Sequence, residues 1–319
     1  MPATGEDLGH RLCDGDRSAA PAVLNLVENR SDAARGEIAA LLEAVAPAAL
    51  GGEARGHVVG LTGPPGAGKS SLLSELVRTW RAGDRTVAVL AVDPSSRRTG
   101  GSLLGDRARI VFDATDPGTF IRSTAANGRL GGLAPATRAA AHALAVAFDV
   151  VVIETVGVGQ SEVEVADVAD TVAVIVQPGS GDALQFLKSG IMEVPDVLVV
   201  TKSDLGDVAM SARRDLAAAL RALGERNTRV VAVSCVSPVR GLDALEAALD
   251  AHRDILDLPT VRREKRQASA LADFAAEHGE RGLRAVGGAR AATRLLSAEP
   301  AGADVPSLVC ILEDHARAG

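Results

Sequence analysis
The segment Gly63-Pro64-Pro65-Gly66-Ala67-Gly68-Lys69-Ser70 constrains this chain more than any other. It fits the pattern GxxxxGK[ST], and its flanks are the ones the pattern needs. Before it lies a short apolar run, His57 to Leu61, bounded by glycines as a buried strand would be. After it, Leu72, Leu73, Leu76 and Trp80 recur at helical spacing on one face. Strand, glycine loop and helix in that order predict a turn whose backbone N–H groups point inward at an anion, helped by the positive end of the helix. Lys69 then neutralises the outer phosphates of a nucleoside triphosphate, and Ser70 offers its hydroxyl to magnesium. With Ser71 in the same helical turn, Gly63 to Ser71 form the candidate phosphate-binding set.

Such a loop needs a sheet behind it. Continuous apolar runs recur at Thr86–Val92, Val150–Ile153, Thr171–Val176, Val197–Thr201 and Val230–Val233, separated by alanine- and leucine-rich helical patterns. Strands that are apolar throughout, rather than alternating, belong to parallel sheets covered on both faces. The expected fold is therefore an α/β P-loop NTPase, a doubly wound and mostly parallel sheet spanning residues 53–253. Residues 1–52 carry helical periodicity, with Val23, Leu24, Leu26 and Val27 and then Ile38, Leu41, Leu42 and Val45, and Gly51-Gly52 ends it. Residues 254–319 read as a helical extension with a Gly-rich stretch, Gly282 to Gly288, and no strand signal.

Composition excludes several partners. A net charge of -7 over 319 residues, with aromatic residues at 2%, offers neither the basic footprint nor the stacking surface that nucleic acid requires. The single basic cluster, Arg262-Arg263-Glu264-Lys265-Arg266, is short and interrupted, and reads as a solvated helix face. Cys13, Cys235 and Cys310 lack the spacing of a zinc site or a disulfide framework, which fits reduced thiols in the cytoplasm. Met1 to Asp16 lack the apolar core of a signal peptide, and no apolar run reaches membrane-spanning length. The expectation is a cytoplasmic protein that binds neither membrane nor nucleic acid.

Three further loops narrow the nucleotide. Thr201-Lys202-Ser203-Asp204 follows a buried strand at the edge where open α/β sheets bind ligands, and matches the [NT]KxD loop of GTPases. A carboxylate at Asp204 can accept both the ring-imide and the amino protons of guanine, whereas adenine offers no such pair. Lys202 would lie along the base plane, and Thr201 stands where asparagine is commoner. Ser234-Cys235-Val236 ends the last strand, where a backbone N–H can meet the guanine carbonyl. Glu154-Thr155-Val156-Gly157 ends the strand Val150–Ile153; Glu154 can hold magnesium directly or through water, and the Gly157 N–H can bind the γ-phosphate. Asp93 and Asp106 are magnesium or water-positioning candidates, with helix caps or turn aspartates as the alternative for each. The metal set is thus Ser70, Asp93, Asp106 and Glu154, and the ligands expected are GTP or GDP with Mg2+.

Taken together, these blocks resemble the MeaB/ArgK family of GTPases. The runs that carry the resemblance are Asp93-Pro94-Ser95-Ser96, Gly100 to Asp106 (GGSLLGD), Gly131-Gly132-Leu133, Glu154 to Glu162 (ETVGVGQSE) and Pro178-Gly179-Ser180-Gly181-Asp182, in the family's order and covering about Leu24 to Arg253. The resemblance implies a GTPase that chaperones a cobalamin-dependent acyl-CoA mutase, such as methylmalonyl-CoA mutase, by gating adenosylcobalamin delivery and protecting the enzyme. It implies three nucleotide-reading regions, roughly Pro94–Thr124, Val156–Val165 and Gly179–Lys188. In the third, Asp182, Gln185 and Lys188 would couple the mutase to hydrolysis, so Lys188 joins Lys69, Glu154 and Asp106 as a candidate catalytic residue. Ala183 and Phe186 depart from the acid and glycine of the family pattern. Beyond Leu258 the chain diverges, and in relatives this part forms a helical dimer arm, which implies a homodimer.

The expected chemistry is in-line attack of water on the γ-phosphate. Gln160 is either the water-orienting residue or a switch residue facing the partner, and with no internal arginine finger hydrolysis should be slow alone. Other activities stay open. One is a P-loop kinase of the old ArgK type, against which the TKSD loop argues. Another is a nucleotide-bound scaffold with incidental hydrolysis. A metal-insertase-like carrier would need Cys and His clusters, which six scattered histidines do not supply.

Overall fold
A computed structural model describes residues 3–93, 110–125, 133–155, 164–179, 195–225 and 227–318. The chain divides into two compact units, one of Met1–Gly56, Pro135–Phe148 and Asp257–Gly319, the other of His57–Ala134 and Asp149–Leu256. Where the sequence suggests three consecutive stretches, 1–52, 53–253 and 254–319, the helical ends share one unit with an insertion from the middle of the chain. Helical periodicity marks a face to be buried but not the partner that buries it.

The sheet unit contains seven described strands: β1 (His57–Thr62), β2 (Val87–Asp93), β3 (Thr119–Ala125), β4 (Val150–Glu154), β5 (Thr171–Val176), β6 (Val197–Val200) and β7 (Arg229–Ala232). They lie in the order β3-β2-β4-β1-β5-β6-β7, every pair parallel. Residues of β1, β4, β5 and β6 are buried along their whole length, as unbroken apolar runs require. The helix Lys69–Ala82 presents Leu72, Leu73, Leu76 and Trp80 to this sheet, all 2% exposed or less. Each such side chain contributes about 2 kcal/mol relative to leaving it in water. From β1 the chain moves to one side of the sheet, to β2, and from β5 to the other, to β6. That reversal opens a crevice at the carboxyl ends of the central strands.

β3 has no counterpart among the apolar runs of the sequence. Its residues Thr119-Phe120-Ile121-Arg122-Ser123-Thr124-Ala125 mix polar and apolar groups because, among the described residues, it pairs only with β2 at the edge of the sheet, where Phe120, Arg122 and Ser123 are half-buried.

The helical unit contains the helices Gly5–Cys13, Ala20–Val27, Asp32–Ala44, Pro47–Leu50, Pro135–Leu144, Leu258–Ala285, Ala289–Ser297 and Val305–Ala318. Thr4 and Asp7 form a reciprocal capping box at its first helix. Phe274, Leu296, Leu308 and Leu312 centre the core shared by the three C-terminal helices. The basic cluster corrects the sequence expectation of a solvated face: Arg262 and Arg266 are 6% and 5% exposed. Arg262 donates to the carbonyls of Ala54 and Gly56, at 2.5 and 2.6 Å, and Arg266 grips the carboxylate of Glu53 at 3.0 and 2.8 Å. Guanidinium groups satisfy buried carbonyls and carboxylates in one planar fork, so a basic run serves here as an internal clamp. Among the described residues no helix is long and apolar enough to cross a membrane.

Candidate functional site
The phosphate loop joins β1 to the helix Lys69–Ala82, and two of its glycines are there for geometry. Gly63 sits so close to β5 that a Cβ would stand 2.2 Å from the Ile175 carbonyl oxygen. Gly68, at φ 93°, turns the chain into the helix through a conformation that costs other residues free energy. The side chain of Lys69, 9% exposed, bends back over the loop and donates to the carbonyls of Gly63 at 2.7 Å and Pro64 at 3.2 Å. Its ammonium is thereby held over the loop into which the helix N-terminus points.

Parallel pairing brings Glu154 to the same place from 84 residues away, since Leu61 of β1 stands opposite Glu154 at the end of β4. Ser70 donates its hydroxyl to Glu154 Oε1 at 3.0 Å, and Glu154 is 3% exposed. A hydroxyl beside a buried carboxylate at the lip of an anion cradle is an all-oxygen donor set, which suits a hard cation such as Mg2+. Beneath it, Thr155 donates to Thr62 Oγ1 at 2.8 Å, both buried, stitching the ends of β4 and β1. In the sequence, the sign of this pair is a hydroxyl residue at the carboxyl end of each of two apolar strands.

The TKSD loop lies beside the cradle and is tied to it. Thr201 Oγ1 donates to the Ala67 carbonyl of the phosphate loop at 2.7 Å and so ties the two loops together. Lys202 takes a left-handed backbone, φ 53°, and its Nζ donates to Gln177 Oε1 at 2.7 Å, with the Gly66 carbonyl at 3.5 Å. Ser234 donates its hydroxyl to Asp204 Oδ1 at 2.9 Å and so fixes the rotation of that carboxylate. Its N–H goes to the Arg240 carbonyl at 3.0 Å, which makes Ser234 a support for Asp204 rather than a main-chain donor to the base. The Val236 N–H makes a longer bond, 3.2 Å, to Ser234 Oγ. Cys235 packs against the apolar core, and burial, followed by the charges of Glu75 and Asp204, pushes its thiol up to about 11. Gln177, at the end of β5, is a polar residue directly after an apolar strand at the ligand edge, a signal that motif matching passes over.

Of the other sequence candidates, Ser71 lies exposed on the first turn of the phosphate-loop helix. Asp93 ends β2, but its side chain lies outside the described residues, as do Asp106, Gly157, Gln160, Asp182, Ala183, Gln185, Phe186 and Lys188.

A glycine loop at the switch point of a parallel sheet, with a lysine folded over it and the TKSD loop tied beside it, has the layout of a P-loop GTPase. Residues 20–284 match the family described as Methylmalonyl Co-A mutase-associated GTPase MeaB, and the chain belongs to that family. A Pyrococcus abyssi protein named as a GTPase is 42% identical over 269 residues, 82% of this chain and 80% of that one. The mouse protein named methylmalonic aciduria type A homolog, mitochondrial, is 43% identical over 176 residues, 53% of this chain and 41% of its own length. A solved structure of an LAO/AO transport system kinase superposes with a TM-score of 0.59 at 29% identity, covering 93% of this chain and 98% of that one. The protein is a nucleotide-binding enzyme that hydrolyses GTP.

Proposed function
We propose that this GTPase acts as a chaperone for a cobalamin-dependent acyl-CoA mutase, with GTP turnover gating adenosylcobalamin delivery and protecting the mutase. The observation that carries this is the family match over residues 20–284, supported by the kinship with methylmalonic aciduria type A homologs. A cytoplasmic homodimer, with residues 254–319 as the dimer arm, belongs to the same proposal.

In this account guanine is selected by Asp204, whose carboxylate accepts the imide and amino protons while Ser234 holds its rotation. Lys202 lies along the base, and the Val236 N–H exchanges its 3.2 Å bond for the guanine carbonyl. Lys69 swings from the Gly63 and Pro64 carbonyls onto the β- and γ-phosphates, losing two neutral acceptors and gaining charged ones. Ser70 and Glu154 are the residues that would hold Mg2+, which when bound supplies charge neutralisation at the phosphate oxygens. Main-chain N–H groups of Gly66 to Ser70 then face the charge that spreads over the γ-phosphoryl as water attacks in line. Among the described residues no side chain is assigned the role of orienting that water. Turnover should therefore be slow until a partner or a closing segment supplies a cation, a contribution of about 10³-fold or more.

The test is GTP turnover with and without a cognate mutase, and co-purification in the GTP- and GDP-loaded states. Stimulation by the mutase and nucleotide-dependent association support the chaperone; a high rate indifferent to the mutase overturns it. The kinship with a structure called a transport system kinase favours a second activity, phosphoryl transfer to an acceptor other than water. γ-Labelled GTP separates the two, since hydrolysis puts the label in free phosphate and a kinase puts it on the acceptor.

A further inference from the structure
We infer that Gln177 is a positioning residue of the guanine site, acting through Lys202 and making the end of β5 a third support for base selection. Lys202 leaves β6 in a left-handed conformation, which fixes where its side chain starts but not where the ammonium ends. A four-carbon stem with a rotating head loses considerable freedom when it is held, so acceptors that hold it in advance lower the cost of binding. The nearer acceptor is Gln177 Oε1, at 2.7 Å from Lys202 Nζ, against 3.5 Å for the Gly66 carbonyl. Gln177 directly follows Val176, whose carbonyl accepts the Thr201 N–H at 3.1 Å as the two strands pair. The backbone and the side chain of the β5 end thus grip consecutive residues of the TKSD loop.

The chemistry of the acceptor matters as much as its place. A neutral amide oxygen orients an ammonium without cancelling its charge, so the charge of Lys202 stays available to the nucleotide. Gln177 is half-buried, whereas the apolar residues of β5 before it are all buried. Its amide oxygen is the acceptor that holds the lysine. This assignment rests on the proposed recognition of guanine by Lys202 and Asp204, and it adds the residue on which Lys202 depends.

Gln177→Met keeps the length of the side chain and removes the acceptor, and Gln177→Glu restores an oxygen at the same position. Binding of GDP and of inorganic pyrophosphate is measured for both, together with KM and kcat for GTP. For Gln177→Met, GDP affinity falls and KM rises about tenfold, the size expected for one hydrogen bond to a charged group. Pyrophosphate affinity and kcat stay within about twofold for Gln177→Met, and Gln177→Glu, whose oxygen holds the ammonium but offsets its charge, recovers only part of the GDP affinity. Unchanged GDP affinity in Gln177→Met overturns the inference, and so does a loss shared equally by pyrophosphate, which would mark damage to the fold. Asp204→Ala is measured in parallel: if it leaves the preference for guanine intact, the underlying base-recognition reading fails, whatever Gln177 does.

Discussion

The two ends of the proposed nucleotide site are built from different materials. The phosphate end is made of main chain: a loop whose course is set by Gly63 and Gly68, leading into the N-terminus of the helix Lys69–Ala82, with one lysine folded over it. The base end is made of side chains held by other side chains, Asp204 by Ser234, Lys202 by Gln177, and Thr201 reaching back to the Ala67 carbonyl. A main-chain cradle recognises any triphosphate and depends on little beyond the local fold. A side-chain pocket discriminates, but only while its outer supports stay in place. Affinity and selectivity should therefore separate under mutation.

The largest expected effect is at the phosphate end. Lys69→Ala removes the cation from the cradle and should lower GTP turnover by about 10³-fold, in line with the loss of one main charge-stabilising group. Binding of GTP, ITP and ATP, followed by calorimetry, should weaken by a common factor because the lysine does not meet the base. A variant that lost GTP while keeping ITP would break the division between the two ends.

Next in size is Asp204→Ala. The preference for GTP over ITP, which lacks the amino group, should fall by about 10²-fold as the bonds to a charged acceptor disappear. Affinity for pyrophosphate should be unchanged, and this is the sharpest form of the contrast with Lys69.

The same contrast explains what the sequence discloses. A main-chain cradle needs glycines at set positions and a lysine at its mouth, so it is written in eight consecutive residues, Gly63 to Ser70. The buried strands of the sheet are legible for a related reason: covered on both faces, β1, β4, β5 and β6 must be apolar at every position. The edge strand β3 is under no such demand and passes as loop. Ser234 and Gln177 are 30 and 25 residues from the side chains they support, and no spacing rule announces a partner in another strand. The helical unit hides most, because 1–56, 135–148 and 257–319 come together through faces that each look like an ordinary amphipathic helix. Arg262 and Arg266 show the limit of charge patterning, since their clamp partners, Glu53, Ala54 and Gly56, lie some two hundred residues earlier.

Thr201→Val tests whether the two ends are as separate as their materials suggest. The substitution keeps shape and removes the donor to the Ala67 carbonyl, at a cost of about 1 kcal/mol. GDP affinity should fall about fivefold to tenfold. If pyrophosphate affinity falls with it, the threonine also shapes the cradle; if it holds, the bond serves the base loop alone.

The smallest effect concerns Cys235, where the base end meets the apolar core. Burial raises the thiol above its ordinary value of 9.0 to about 11, so the neutral form is the one the folded state favours. The unfolded chain releases its proton first as pH rises, and stability credited to the neutral thiol is complete below about pH 9 and lost as pH climbs toward 11. Cys235→Ala should flatten that part of the stability profile, read as the difference in thermal midpoint between pH 8.5 and 10.5 for the two proteins. At neutral pH the half-buried thiol should also react with iodoacetamide more slowly than the exposed Cys13 and Cys310, and bound GDP should slow it further by closing the loop of Ser234 to Val236. Alkylation of Cys235 at the rate of the exposed thiols, with or without nucleotide, would mean that this side of the base pocket is open, and that the order seen at Asp204 and Ser234 does not extend to its neighbour.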